Sequence, residues 1–201
     1  MSSFKIVNLK VMIEEIGEVK VQQTLSDFSC EINRDVESFL LNKAVDFAKQ
    51  NVSQTHIIMA PHEGKMVIAG YFALANKHIR VSEEKISKSL FKRICKFGKY
   101  DAYSRACDVP ALLIGQIGKN YKYYDNKLIS GDELLKIACD KLALVQDIIG
   151  GKLIYLECED KHKLKEFYES NGFCLFGMRK NELFNRLDIN SEYLMQYLKY
   201  M

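Results

Sequence analysis

The chain has 201 residues, 48% hydrophobic and 27% charged, the composition of a globular protein able to bury a core without disulfide staples. Its formal charge of +3 is too small to mark a nucleic-acid binder by itself. Six cysteines (Cys30, Cys95, Cys107, Cys139, Cys158, Cys174) are scattered with no Cys-x-x-Cys pair, and the last three fall in apolar periodic stretches where cysteine acts as a small hydrophobe.

There is no repeat, low-complexity tract or Pro/Gly-rich linker, so residues 1–201 are expected to form one domain. No signal peptide and no bilayer-length apolar run are read, which points to the cytoplasm and to no membrane partner. Phe4 to Asn8 reads as an edge strand, Leu9 to Leu25 has weak helical periodicity, and Asp27 to Cys30 reads as a turn. Val36, Phe39, Leu40, Ala44, Phe47 and Ala48 recur at helical spacing and predict one helix from Arg34 to Gln50. Two apolar runs, His56 to Met59 and Val67 to Leu74, flank Pro61, Glu63 and Gly64 as a hairpin would. Ser82 is expected to open a helix reaching Lys96, and residues 98–108 read as irregular and polar.

The most informative stretch follows. Pro110 to Gly118 is an apolar strand, and after a polar loop Ser130 opens a helix with Leu134, Leu135, Ala138, Leu142, Val145 and Ile149 on one stripe, stopped by Gly150-Gly151. A strand from Lys152 to Glu159, a short helix carrying Phe167 and Tyr168, a strand from Phe173 to Phe176 and a strand tail from Glu192 to Tyr200 complete the chain. Hairpins first and a strand–helix–strand unit later predict an α/β protein, a mixed sheet with helices on both faces. Such a sheet takes ligands at the carboxyl ends of its parallel strands.

A strand running through a loop into a helix start suits an anion, because unpaired amides and the positive end of the helix dipole converge there. Ser130-x-x-Glu133 has the form of a capping box, and Gly131 would let a phosphate approach without a Cβ in the way. Asp132 and Glu133 read as helix-start carboxylates rather than a catalytic pair. A Gly-x-x-Gly at 115–118 ends a strand instead of joining two helices, which rules out an RNA-clamping KH loop. The four histidines (His56, His62, His78, His162) have no metal-ligand spacing, so no metal is expected.

Phe-Tyr-x-x-x-Gly-Phe at 167–173, with the segment ending at Leu135, the Asp27-Phe28-Ser29-Cys30 turn and the Gly70-Tyr71-Phe72 strand, resembles the GNAT acetyltransferases. The likeness is nearest to the toxin–antitoxin and phage-borne branch and runs from about Leu25 onward. It implies a GNAT-like fold, splayed parallel strands around acetyl-CoA, and direct transfer of an acetyl group to a primary amine. It places the pantetheine arm along Gln116, Ile117, Gly118 and Lys119, with a bulge at Gly118, and the pyrophosphate over Asn126, Lys127, Leu128, Ile129, Ser130, Gly131 and Asp132. The loop departs from the family form Arg/Gln-x-x-Gly-x-Gly/Ala at its first and middle positions.

By the same likeness Tyr168 is the general acid, protonating the leaving thiolate or stabilising its charge, with Phe167 facing the core and Gly172 ending the helix left-handed. Glu157, Glu159, Tyr71 and His78 are candidates for a base, and each reads better as structural or solvated. The acceptor stays open between aminoacyl-tRNA, for which Lys85, Lys88, Lys92, Arg93, Lys96 and Lys99 offer a basic segment, and a small-molecule or protein amine. An antitoxin protein and a homodimer are open as partners. The competing class is a non-catalytic CoA-binding or partner-binding module.

Overall fold

The structure, a computed structural model, describes residues 4–123, 127–181 and 191–201. Its contacts gather into two compact units, residues 1–75 with 114–138 and residues 76–113 with 139–201. Neither is a continuous piece of chain, since β3 (Lys65–Ser82), β5 (Ala106–Lys119) and α6 (Gly131–Ile149) each pass from one to the other.

Unit one holds β1 (Lys5–Asn8), α1 (Leu9–Ile16), α2 (Glu18–Leu25), α3 (Arg34–Asn42), α4 (Ala44–Lys49) and β2 (Gln54–His62), with the first part of β3 and the end of β5. Its strands run in the order β1-β2-β3-β5, with β1 at the edge. Asn8 caps α1 by accepting from the Lys10 and Val11 amides at 2.9 and 3.3 Å. The weak periodicity of residues 9–25 reflects two helices broken at Gly17, whose φ of 80° suits glycine. The single helix expected over Arg34 to Gln50 is likewise two: Asn33 caps α3, and Lys43 leaves helical geometry at φ −127°. The break lets both pieces turn an apolar side to the same core, where Val36, Phe39, Leu40, Ala44 and Ala48 are buried. The β2–β3 hairpin forms as expected, with Glu63 and Gly64 both at positive φ (47° and 77°), the two-residue turn whose twist matches the strands.

Unit two holds the rest of β3, α5 (Lys88–Cys95), β4 (Lys99–Asp101), the start of β5, the end of α6, β6 (Leu153–Glu159), α7 (His162–Ser170), β7 (Cys174–Lys180) and β8 (Tyr193–Tyr200). The strand order here is β3-β5-β6-β8-β7. The tail is a strand, and an inner one: β8 lies antiparallel to both β6 and β7, Leu156 opposite Tyr197 on one side and Cys174 opposite Leu198 on the other. The pairs β1–β2, β2–β3, β4–β5, β6–β8 and β7–β8 run antiparallel within a mixed sheet, and α6 joins β5 to its neighbour β6.

Three expectations fail in this unit. Ser82 starts only a single 3-10 turn, Glu83–Lys85, and caps it with no side-chain bond. β3 runs up to it, the Glu83 amide donates to the Arg105 carbonyl at 2.9 Å, and the α-helix begins later, where Ser87 caps α5 through the Leu90 amide. Residues 98–108 are not irregular but a hairpin, with Tyr100 opposite Cys107. The sequence hid it because its strand charges, Asp101 and Asp108, are both bound by Arg80 at 2.6 Å from a neighbouring strand. Finally, the apolar stripe of α6 is buried only as far as Leu142; Leu144, Ile148 and Ile149 are exposed before Gly150 and Gly151 (φ 78° and 105°) stop the helix.

Candidate active site

In unit one, the end of β5 and the start of α6 carry the residues expected to hold a cofactor. The capping box is complete: the Glu133 amide donates to the Ser130 hydroxyl at 3.1 Å, and the Glu133 carboxylate accepts from the Ser130 amide at 2.8 Å. Those bonds, with Lys119 nearby, hold the Glu133 carboxyl below its usual value. Ile129 is fully buried and Leu134 and Leu135 nearly so, which anchors the helix start from below while Lys127, Ser130 and Asp132 stay exposed. Lys119 and Leu128 are half-buried, and Asn126 lies outside the described residues.

Gln116 is tied sideways, its side-chain amide donating to Asp35 on α3 at 3.0 Å. Ile117 beside it is half-buried. Gly118 is required for packing as well: a Cβ there would stand 2.4 Å from Val36 Cγ1, and one on Gly70 would stand 2.8 Å from the Gly118 carbonyl oxygen. Glycine at 118 therefore answers to α3, and glycine at 70 to the backbone of β5, reasons the expected bulge did not include.

Sequence reasoning missed Asn120. Fully buried at the end of β5, it donates to the Asp27 and Ile68 carbonyls at 2.8 Å each and accepts from the Ser29 and Lys122 amides at 3.0 Å each. Its own amide goes to Ala69 and that of Tyr121 to Ser29. The 27–30 turn, quoted above only for its likeness, is thus fastened to β5. A lone Asn after a strand carries no signal of this.

In unit two, Tyr168 on α7 is 6% exposed, in ring contact with Phe167, Phe173 and Tyr197 at 5.1–5.9 Å. Its hydroxyl makes no hydrogen bond among the described residues. Burial first, then Cys158 and Tyr197, push the phenol well above the ordinary tyrosine value, so it stays protonated at neutral pH. Gly172 ends α7 at φ 80°, as expected. Phe167 was expected to face the core, but it is only half-buried and Tyr168 takes the inner position.

The candidate bases are all engaged or exposed. Arg179 binds Glu157 with two bonds of 2.6 Å, Tyr155 donates to the same carboxylate, and Gln196 to both. Burial raises the Glu157 carboxyl, but these donors outweigh it and the net shift is downward. Glu159 pairs with Lys161 at 2.5 Å, Tyr71 donates to the Val36 carbonyl at 2.6 Å, and His78 is exposed. No helix among the described residues is long and apolar enough to cross a membrane.

These elements define a mixed α/β fold of the GNAT type, as the resemblance implied. No family model and no curated protein matches the sequence. Solved structures share the fold. AtaT complexed with acetyl-methionyl-tRNAfMet is 17% identical at a TM-score of 0.62, covering 96% of this chain and 94% of its own. A tyrosine-to-phenylalanine variant of KacT is 14% identical at 0.59, covering 97% and 94%. A corresponding variant of the AtaT toxin, bound to the C-terminus of the antitoxin AtaR and acetyl-CoA, is 13% identical at 0.58, covering 96% and 91%.

Proposed function

We propose that this chain is an N-acetyltransferase that moves an acetyl group from acetyl-CoA to the α-amine of an amino acid carried on tRNA. One observation carries the reading: the fold is shared over nearly the whole chain with proteins that hold acetyl-CoA in one structure and acetyl-methionyl-tRNA in another. We take residues 1–201 as one such domain, cytoplasmic, with an antitoxin protein as its neutralising partner.

The residues fit the cofactor. The α6 start offers the positive end of a 19-residue helix, glycine at its first position and the flanking cations Lys119 and Lys127, a setting suited to a pyrophosphate. Acetyl-CoA supplies an activated acyl thioester there. Gln116, Ile117, Gly118 and Lys119 present the strand edge for its pantetheine arm, and Asn126 to Asp132 the phosphate loop.

Tyr168 acts on the departing sulfur. An ordinary thiol has a pKa of about 8.5, below an unperturbed phenol at about 10. Since burial lifts Tyr168 further, full proton transfer to the thiolate is uphill. The hydroxyl serves instead as a hydrogen-bond donor that stabilises sulfur charge as it develops. No dedicated base is required, because an α-amine with a pKa of about 8 is partly neutral at working pH. Glu157, held by Arg179, is structural.

Lys85, Lys88, Lys92, Arg93, Lys96 and Lys99 are all exposed, and none makes an ion pair among the described residues. They supply the phosphate contacts that a tRNA acceptor needs. The test is to offer labelled acetyl-CoA with charged tRNA, discharged tRNA and free amino acids. Label is expected on charged tRNA alone, declining when Lys92, Arg93 and Lys96 become Ala. Label on free amines, indifferent to those residues, would leave a general amine acetyltransferase; no label anywhere would leave a CoA-binding module.

A further inference from the structure

The β4–β5 hairpin of unit two carries a feature that the acetyl-transfer chemistry does not use. Tyr103, in the turn between the strands, is 100% exposed. The turn beneath it is braced. Asp101 accepts the Tyr103 amide at 3.0 Å and the Ser104 hydroxyl at 2.6 Å, and Arg80 bridges Asp101 to Asp108 at 2.6 Å on each side. The Ser104 hydroxyl, Arg80 and the Tyr103 amide together hold the Asp101 carboxyl down at about 2, so the brace stays charged at any working pH.

An apolar ring is therefore held in water by a turn with little freedom to fold it away. Tyr100 and Phe97 nearby are also 48% and 47% exposed. In sequence these rings alternate with Lys96 and Lys99, and Lys92 lies a turn earlier on α5, all three exposed and without ion pairs among the described residues. Arg93 is itself fixed, its guanidinium 3.8 Å from the centroid of the Tyr200 ring. A protein interface centre is depleted in lysine. Alternating cations and exposed rings instead match a strand of nucleic acid, with phosphates on the cations and bases on the rings. Entering a paired stack would cost unstacking energy, so a projecting ring meets an already unpaired base at least cost.

We propose that Tyr103 is a stacking platform for an unpaired base of the RNA acceptor, with Lys92, Lys96 and Lys99 taking the adjoining phosphates. This rests on the reading that the acceptor amine is carried on RNA, and it adds the element that grips that RNA away from the chemistry.

The chain contains no tryptophan, so Tyr103→Trp in the 201-residue chain introduces a single reporter that a stacked base would quench. Titration with aminoacylated tRNA, and with a short unstructured RNA, should quench it to saturation. By filter binding, Tyr103→Ala should weaken tRNA affinity about tenfold while Tyr103→Phe stays near wild type. Lys96→Ala should flatten the salt dependence of binding, which Tyr103→Ala leaves alone. Unquenched indole at saturating tRNA, or unchanged affinity in Tyr103→Ala, overturns the platform. If charged tRNA is still acetylated in that case, the acceptor reading stands without it. Quenching with binding but no acetyl transfer supports the platform and overturns the acceptor reading.

Discussion

The end of β5 in unit one and the β6–β8–β7 sheet of unit two are built on opposite principles. In the first, almost every polar group has a partner: Asn120 satisfies four backbone groups, Ser130 and Glu133 cap each other, and Gln116 holds Asp35. The positions proposed to meet acetyl-CoA there are largely backbone, set among Gly70 and Gly118, which neighbouring atoms leave no room to replace. In the second, the residue of interest is a buried side chain packed on Tyr197, its hydroxyl without a bonding partner among the described residues, while Glu157, paired with Gln196 on the other face of the same strands, is fully engaged. Satisfied backbone recognises a ligand by shape and charge, whereas an unengaged buried phenol is available for chemistry. Damage to unit one should therefore appear in binding or stability, and damage to Tyr168 in rate.

The largest expected effect is on rate. Tyr168→Phe keeps the ring contacts with Phe173 and Tyr197, so the thermal midpoint and acetyl-CoA affinity should hold while single-turnover acetyl transfer falls roughly 100- to 10,000-fold. A normal rate would place the thiolate's stabilisation elsewhere. Next comes Gly131→Val, which puts a branched side chain at the first position of α6. Acetyl-CoA heats should vanish in calorimetry with folding intact, and unchanged affinity would remove the α6 start from the cofactor site.

Asn120→Ala acts on stability. It strands the Asp27 and Ile68 carbonyls and two amides in a buried place, which should cost about 2–4 kcal/mol in denaturant unfolding. A loss within experimental error would mean that the 27–30 turn is held without it.

The smallest effect separates structure from catalysis at Glu157. Its carboxyl is depressed in the folded state, so its contribution to stability is present above the unfolded value of about 4.3 and is lost as pH falls through the lower folded value. Glu157→Gln should unfold more easily at neutral pH by about 1–2 kcal/mol, with a flatter stability profile below about pH 4. Acetyl transfer should stay within about threefold of wild type, since the charge is spent on Arg179. A collapse in rate with a retained thermal midpoint would instead make Glu157 the base.

Much of this protein was legible in one dimension. Ser130 and Glu133, four residues from end to end, announce a capping box because the bonds they make are local, and the structure draws both of them. The Glu63-Gly64 turn, the Gly150-Gly151 stop and Gly172 were readable for the same reason: positive φ is a property of one residue and its neighbours. The aromatic and aliphatic content of residues 192–200 also sufficed to make the tail a strand. What failed was decided by partners far along the chain. The β4–β5 hairpin looks polar until Arg80 is placed between its two aspartates, and the 34–50 segment reads as one helix until both halves must turn to a shared core. Asn120 meets Asp27 across 93 residues, and the inner position of Tyr168 over Phe167 depends on Tyr197 arriving from the tail. Local bonding and backbone preference are fixed by adjacent residues. Which polar groups are satisfied and which ring is buried depend on neighbours that only the folded chain brings near.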